Sequence, residues 1–151
     1  MFYSPSTHLV LLTLFASRSQ AIYPNNEIYY LTNCFDDLFG RSYATVDYYA
    51  NKSLSAIAGN PTQPDLVSWV NTSSSVNYED GTWKTLSPSE FNFTAVIGKN
   101  AYTASVGTIV GSAQSNQTVG PLACSRLKRT MVHFQKELSC YADYSCTSVL
   151  R

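Results

Sequence analysis

LACSRLKRTMVHFQKELSCYADYSC, residues Leu122 to Cys146, decides the fold, because it carries Cys124, Cys140 and Cys146 and needs the fourth cysteine, Cys34, from near the other end of the chain. Two periodicities compete within it. Leu127, Met131, Phe134 and Leu138 lie at helical spacing, whereas Thr130 to Phe134 reads as a strand. The strand reading over 125–138 is preferred, since sheets favour Thr, Val and aromatic residues and the rest of the chain is strand-like. Four cysteines permit three pairings. A strand running on from Cys140 carries Cys146 further away than the ~7 Å a bridge spans. The expected pairs are therefore Cys34 with Cys146 and Cys124 with Cys140. The first closes a long loop and removes up to ~4.7 kcal/mol of unfolded-chain entropy, the second about 3 kcal/mol.

The leading residues, MFYSPSTHLVLLTLFASRSQA, place an apolar run from Leu9 to Ala16 before a polar stretch ending in small residues, which predicts a signal peptide over 1–21 cleaved after Ala21. That run is too short to cross a hydrocarbon layer about 30 Å thick, and no later segment is long and apolar enough, so no membrane span is expected. Residues 22–151 then form one secreted domain, of a size that buries roughly two thirds of its unfolded surface. Export to an oxidising compartment makes two disulfides the natural use of four cysteines. With His133 the only histidine after the leader and no Cys-x-x-Cys, the sequence presents no zinc set, and neither metal nor cofactor is expected.

Ten Lys and Arg balance ten Asp and Glu across the 151 residues. The basic footprint of a nucleic-acid binder is missing, so nucleic acid is excluded as an expected partner. Abundant Ser, Thr, Asn and Tyr with scattered Val and Ile favour strands and polar loops over helices.

Along the chain, Glu27 to Thr32 reads as a first strand and Phe35 to Arg41 as a turn around Gly40. Ser42 to Tyr49 alternates, with Ala44, Val46 and Tyr48 on a core face and Tyr43, Thr45, Asp47 and Tyr49 toward solvent. Asn51 to Asp65 is a loop with Gly59, Pro61 and Pro64, and Leu66 to Val70 a short strand. Asp80-Gly81 predicts a hairpin joining Val76–Tyr78 to Thr82–Leu86. Glu90 to Ile97 has the cleanest two-residue period, Phe91, Phe93, Ala95 and Ile97 facing inward. Ala101 to Val110 is expected to return beside it, and Gly111 to Gly120 to be a loop.

Four Asn-x-Ser/Thr triplets begin at Asn51, Asn71, Asn92 and Asn116, and each predicts an exposed, glycosylated asparagine. Arg126, Lys128 and Arg129 match what secretory convertases cut, although a solvated hairpin turn explains such a run as well. No Gly-x-Ser-x-Gly is present, and His133 reads as a half-buried packing residue rather than a general base. Asp36, Asp37, Asp47, Glu79, Asp80 and Asp143 are the acids a small glycoside hydrolase would draw on, but adjacent acids in turns usually cap and solvate. Aromatics are the stronger lead. Trp83, Tyr43, Tyr49 and Tyr78 are candidates for a surface that stacks on a sugar ring or a partner, with Trp69 assigned to the core.

IYYLTNC at 28–34, SYATVDYY at 42–49 and the closing CYADYSC at 140–146 resemble small secreted, cysteine-containing proteins of filamentous fungi, mostly without assigned function and often counted as effector candidates. The resemblance implies an extracellular module active in virulence and provides no site residues. The expectation is thus an all-β protein, a two-layer antiparallel β-sandwich stapled by two disulfides, that binds an extracellular protein rather than catalysing a reaction. A domain binding cell-wall polysaccharide is the alternative, and a small glycoside hydrolase comes third.

Overall fold

A computed structural model describes residues 26–55, 63–135 and 137–149. The expected signal peptide and residues 56–62 of the long loop lie outside the described residues. Among the described residues eight strands, β1 (Ile28–Asp36), β2 (Arg41–Tyr49), β3 (Leu66–Asn71), β4 (Gly81–Lys84), β5 (Phe93–Ile97), β6 (Ile109–Ser115), β7 (Leu122–Gln135) and β8 (Leu138–Ser148), form one antiparallel sheet in the order β3-β2-β1-β8-β7-β6-β5-β4. The protein is all-β, as the composition implies, with strand through Gln135 in β7 and again from Leu138 in β8.

This one sheet curves so that strands distant in its order meet. The ring of Tyr29 on β1 lies 5.1 Å from that of Phe93 on β5, although three strands separate the two in the hydrogen-bonded order. The ends of the sheet approach through the segment before β5. Leu86 N–H donates to Trp69 O at 2.7 Å, and the Ser68 hydroxyl and Phe91 backbone bond each other. Tyr29, Leu31, Val46, Phe91, Phe93 and Ile97 fill the space enclosed. Each such side chain contributes roughly 1.5–3 kcal/mol on burial.

A second core occupies the opposite face, where Ile28, Tyr30, Cys34, Tyr49, Val132, Cys140 and Ala142 pack together. This corrects the reading of β2, whose residues Ala44 to Asp47 are all buried, so the side expected to meet solvent is covered. The later half of β7 provides the cover, as the Tyr49 hydroxyl donates to Val132 O at 2.7 Å. Bulges between Arg126 and Thr130 and between Met131 and His133 add the bend that brings it there.

The disulfides join Cys34 to Cys140 and Cys124 to Cys146, which corrects the expected pairing. β8 lies between β1 and β7, with Cys140 opposite Cys34 on one neighbour and Cys146 opposite Cys124 on the other. Leu31 faces Tyr144 and Thr32 faces Ala142, so Asp143 is an extra residue, a bulge that reverses the face of everything after it. Cys140 and Cys146 have the same parity, yet Cys140 belongs to the second core and Cys146 to the first.

Two further differences have local causes. Asp80 adopts the left-handed conformation expected of a turn (φ 51°), but β4 pairs with β5 rather than with 76–78. The Asn33 side chain takes both backbone groups of Val76, at 2.9 and 2.8 Å, leaving no strand partner to be sought. Residues 101–103 form a 3-10 turn, and the strand expected over Ala101–Val110 begins only at Ile109 and runs through Gly111 to Ser115. A Cβ at Gly111 would sit 2.2 Å from Val96 O, so this glycine marks a close approach of strands, not the start of a loop.

Candidate functional site

The aromatic residues expected to form a stacking surface do not assemble into one. Tyr49 and Tyr78 are buried, the latter with its hydroxyl 3.0 Å from both Thr32 O and Thr45 O. Trp83 is half-buried, packs edge-on against Tyr78 and donates its indole N–H to Tyr78 O at 2.8 Å. Tyr43 is likewise partly open, and it meets Trp69, which is 39% exposed instead of in the core. Their planes are inclined by 59°, so the pair offers no flat platform.

A cleft of about 760 Å³ opens instead where the bulged part of β7 faces the start of β1 and the 3-10 turn at Lys52–Leu54. Lys52, Arg126 and Lys128 line it together with the hydroxyls of Ser125, Thr130 and Thr147, and among the described residues no acidic side chain does. Arg126 is held in place: its guanidinium lies over the Tyr102 ring at 4.9 Å and donates through Nε to Tyr102 O at 2.6 Å. Lys52 and Lys128 are exposed. Among the described residues the one salt bridge, Arg129 to Asp143 at 3.4 Å, lies outside the cleft. Three cations thus line the cleft without a lining carboxylate, a charge set that favours anions.

The second core holds a polar cluster. Asp47 is fully buried, and its Oδ1 accepts from the Thr45 hydroxyl at 2.8 Å and the Thr32 hydroxyl at 3.3 Å. Its Oδ2 and the Nε2 of His133 are buried without partners. A carboxylate oxygen of Asp47, a ring nitrogen of His133 and Sγ of Cys140 lie within 4.8 Å of one another. Loss of hydration pushes the Asp47 carboxyl up to about 6 and the His133 imidazole down. Sequence alone names Asp47 and His133 separately, but nothing in it brings them together, because only the register of β1, β2, β7 and β8 does so.

The remaining acids are engaged elsewhere. Asp36 caps the β1–β2 turn, accepting from the N–H groups of Leu38 and Phe39 at 3.1 and 3.2 Å. Glu79 accepts from Tyr102 N–H and from the Tyr144 hydroxyl. Asp37 and Asp80 are exposed.

Of the four triplet asparagines expected to be exposed, two are exposed and two half-buried, and Thr118 of the Asn116 triplet is buried. Asn92 and Asn116 are exposed and adjacent, linked by backbone and side-chain hydrogen bonds of 3.2 and 2.9 Å. Asn92 precedes β5 rather than lying within it. Asn51 and Asn71, half-buried, each accept from the N–H of the serine two residues on. The basic run Arg126, Lys128 and Arg129 lies within strand β7 at its bulge, not in a hairpin turn. Among the described residues no helix is long and apolar enough to cross a membrane. Comparison with family models, with curated proteins and with solved structures finds no match to this chain.

Proposed function

We propose that the chain is a secreted glycoprotein acting as an extracellular binding module, and that its cleft takes an acidic saccharide, one bearing carboxylate or sulfate groups. The observation that carries this reading is the set Lys52, Arg126 and Lys128 around one opening with no acid among its lining. Lining hydroxyls supply the neutral hydrogen bonds a sugar needs, while Arg126, fixed over Tyr102, gives up little freedom on binding. With the flat aromatic surface gone, charge replaces stacking as the source of affinity, and cell-wall polysaccharides rich in uronic acid fit better than neutral ones.

Affinity electrophoresis through polygalacturonate, with a neutral glucan as control, tests this. Retention on the acidic polymer alone, weakening as salt screens it over a Debye length of about 8 Å at physiological strength, is expected. A Lys52→Glu/Lys128→Glu variant should bind at least tenfold less tightly. Equal mobility in both gels, or a variant that binds like the parent, would reject the reading. Material recovered from a eukaryotic secretory host should begin at Ile22 and lose mass with an N-glycan-specific glycosidase.

A second reading, an effector-type module that binds a partner protein, rests on the β1–β2 turn. Leu38 and Phe39 there are 63% and 65% exposed, with Arg41 over the Phe39 ring at 5.6 Å. Leu38→Ser/Phe39→Ser would then abolish the partner's binding and leave retention on polygalacturonate unchanged.

A further inference from the structure

We propose that the Cys34–Cys140 disulfide masks a metal site: once opened, its two sulfurs join His133 and Asp47 in a four-ligand set suited to zinc. Three of the four donors are already gathered, with a carboxylate oxygen of Asp47, a ring nitrogen of His133 and Sγ of Cys140 within 4.8 Å of one another. The fourth, Cys34, is bonded to Cys140. Two thiolates, an imidazole and a carboxylate are the donor types that zinc takes in tetrahedral sites.

Two independent observations point to a ligand. Asp47 Oδ2 and His133 Nε2 are buried with no hydrogen-bond partner, a cost that stable cores seldom leave uncompensated. Thr45 and Thr32 also grip the other carboxylate oxygen, as outer-shell groups do when they orient a metal ligand. Cys34 and Cys140 come from β1 and β8, Asp47 from β2 and His133 from β7, so the site ties four strands together.

A dithiol reductant supplies two electrons and two protons, splits the Cys34–Cys140 S–S bond into two thiols and closes to its own disulfide. Zinc then binds as each thiol releases its proton to solvent. In an oxidising compartment the disulfide holds the fold, and in a reducing one zinc takes over that task at the same four residues.

The test is anaerobic titration with zinc and with cobalt of the chain before and after treatment with a dithiol, alongside three variants. Expected are one tightly bound zinc per reduced chain, at least 100-fold weaker binding when oxidised, and cobalt absorption of tetrahedral, sulfur-ligated type. Cys34→Ala/Cys140→Ala should abolish the tight site and Cys124→Ala/Cys146→Ala should keep it. Asp47→Asn should weaken it at least tenfold and alter the cobalt spectrum. Failure of the reduced chain to bind zinc, tight binding that survives in Cys34→Ala/Cys140→Ala, or indifference to Asp47→Asn would overturn the proposal. If reduction unfolds the chain, zinc must restore its far-ultraviolet strand signal, and zinc that does not restore it likewise overturns the proposal.

Discussion

Asp47→Asn should reshape the pH dependence of stability. The buried carboxyl titrates at about 6 in the folded chain against 3.8 when solvated. At 1.36 kcal/mol for each pH unit, ionising it in place costs about 3 kcal/mol. The sign follows from proton counts. Between about pH 3.8 and pH 6 the folded chain retains a proton the unfolded chain has released, so the stability this group contributes is full at acid pH and is lost as pH rises through about 6. Asparagine keeps an oxygen to accept from the Thr45 hydroxyl and carries no charge. His133 adds an opposite trend, since its lowered folded value yields stability that grows as pH rises toward 6.5, but it is present in both proteins. Urea unfolding at a series of pH values gives the difference between parent and variant. That difference should move by about 3 kcal/mol in the variant's favour, nearly all of it between about pH 3.8 and about pH 6, and level off above. Parallel profiles would refute the claim that Asp47 is desolvated in the fold.

Other substitutions probe separate parts of the structure. Cys34→Ala/Cys140→Ala, opening a closure of 106 residues, should cost about 5 kcal/mol in urea unfolding, and Cys124→Ala/Cys146→Ala, with 22, about 3. Gly111→Ala forces a Cβ to within 2.2 Å of the Val96 carbonyl oxygen and should lower stability by at least about 2 kcal/mol, visible as a fall in thermal midpoint. Tyr78→Phe removes the buried hydroxyl that donates to the Thr32 and Thr45 carbonyls, of which Thr45 O keeps the Thr32 hydroxyl, and should cost about 1–3 kcal/mol in the same assay. A chain cut after Arg129 should migrate as one species until reduced, because both disulfides cross that point.

Strand content was legible wherever a period of two met the core on one side. Phe93, Ala95 and Ile97 and the stretch Leu66 to Val70 announce their strands in this way. β2 shows the limit of that signal. Tyr43, Thr45, Asp47 and Tyr49 look like a wet face because they are polar or amphipathic, and only the arch of β7 over them buries Thr45, Asp47 and Tyr49. β6 hid for the converse reason: its Gly, Ser and Gln residues have a loop's composition, yet strands on both sides satisfy its backbone. Counting parity along CYADYSC also fails, since one extra residue at Asp143 exchanges the faces of the sheet. The cleft escaped for a similar reason, as Lys52 reads as the middle of a glycosylation triplet and Lys128 as part of a processing run.

The cleft and the buried acid both depend on β8 running between β1 and β7 in the register observed. Mass spectrometry of peptides from the non-reduced protein tests that register most directly. The account predicts disulfide-linked peptides containing Cys34 with Cys140 and Cys124 with Cys146. Peptides joining Cys34 to Cys146, or Cys140 to Cys146, would contradict it.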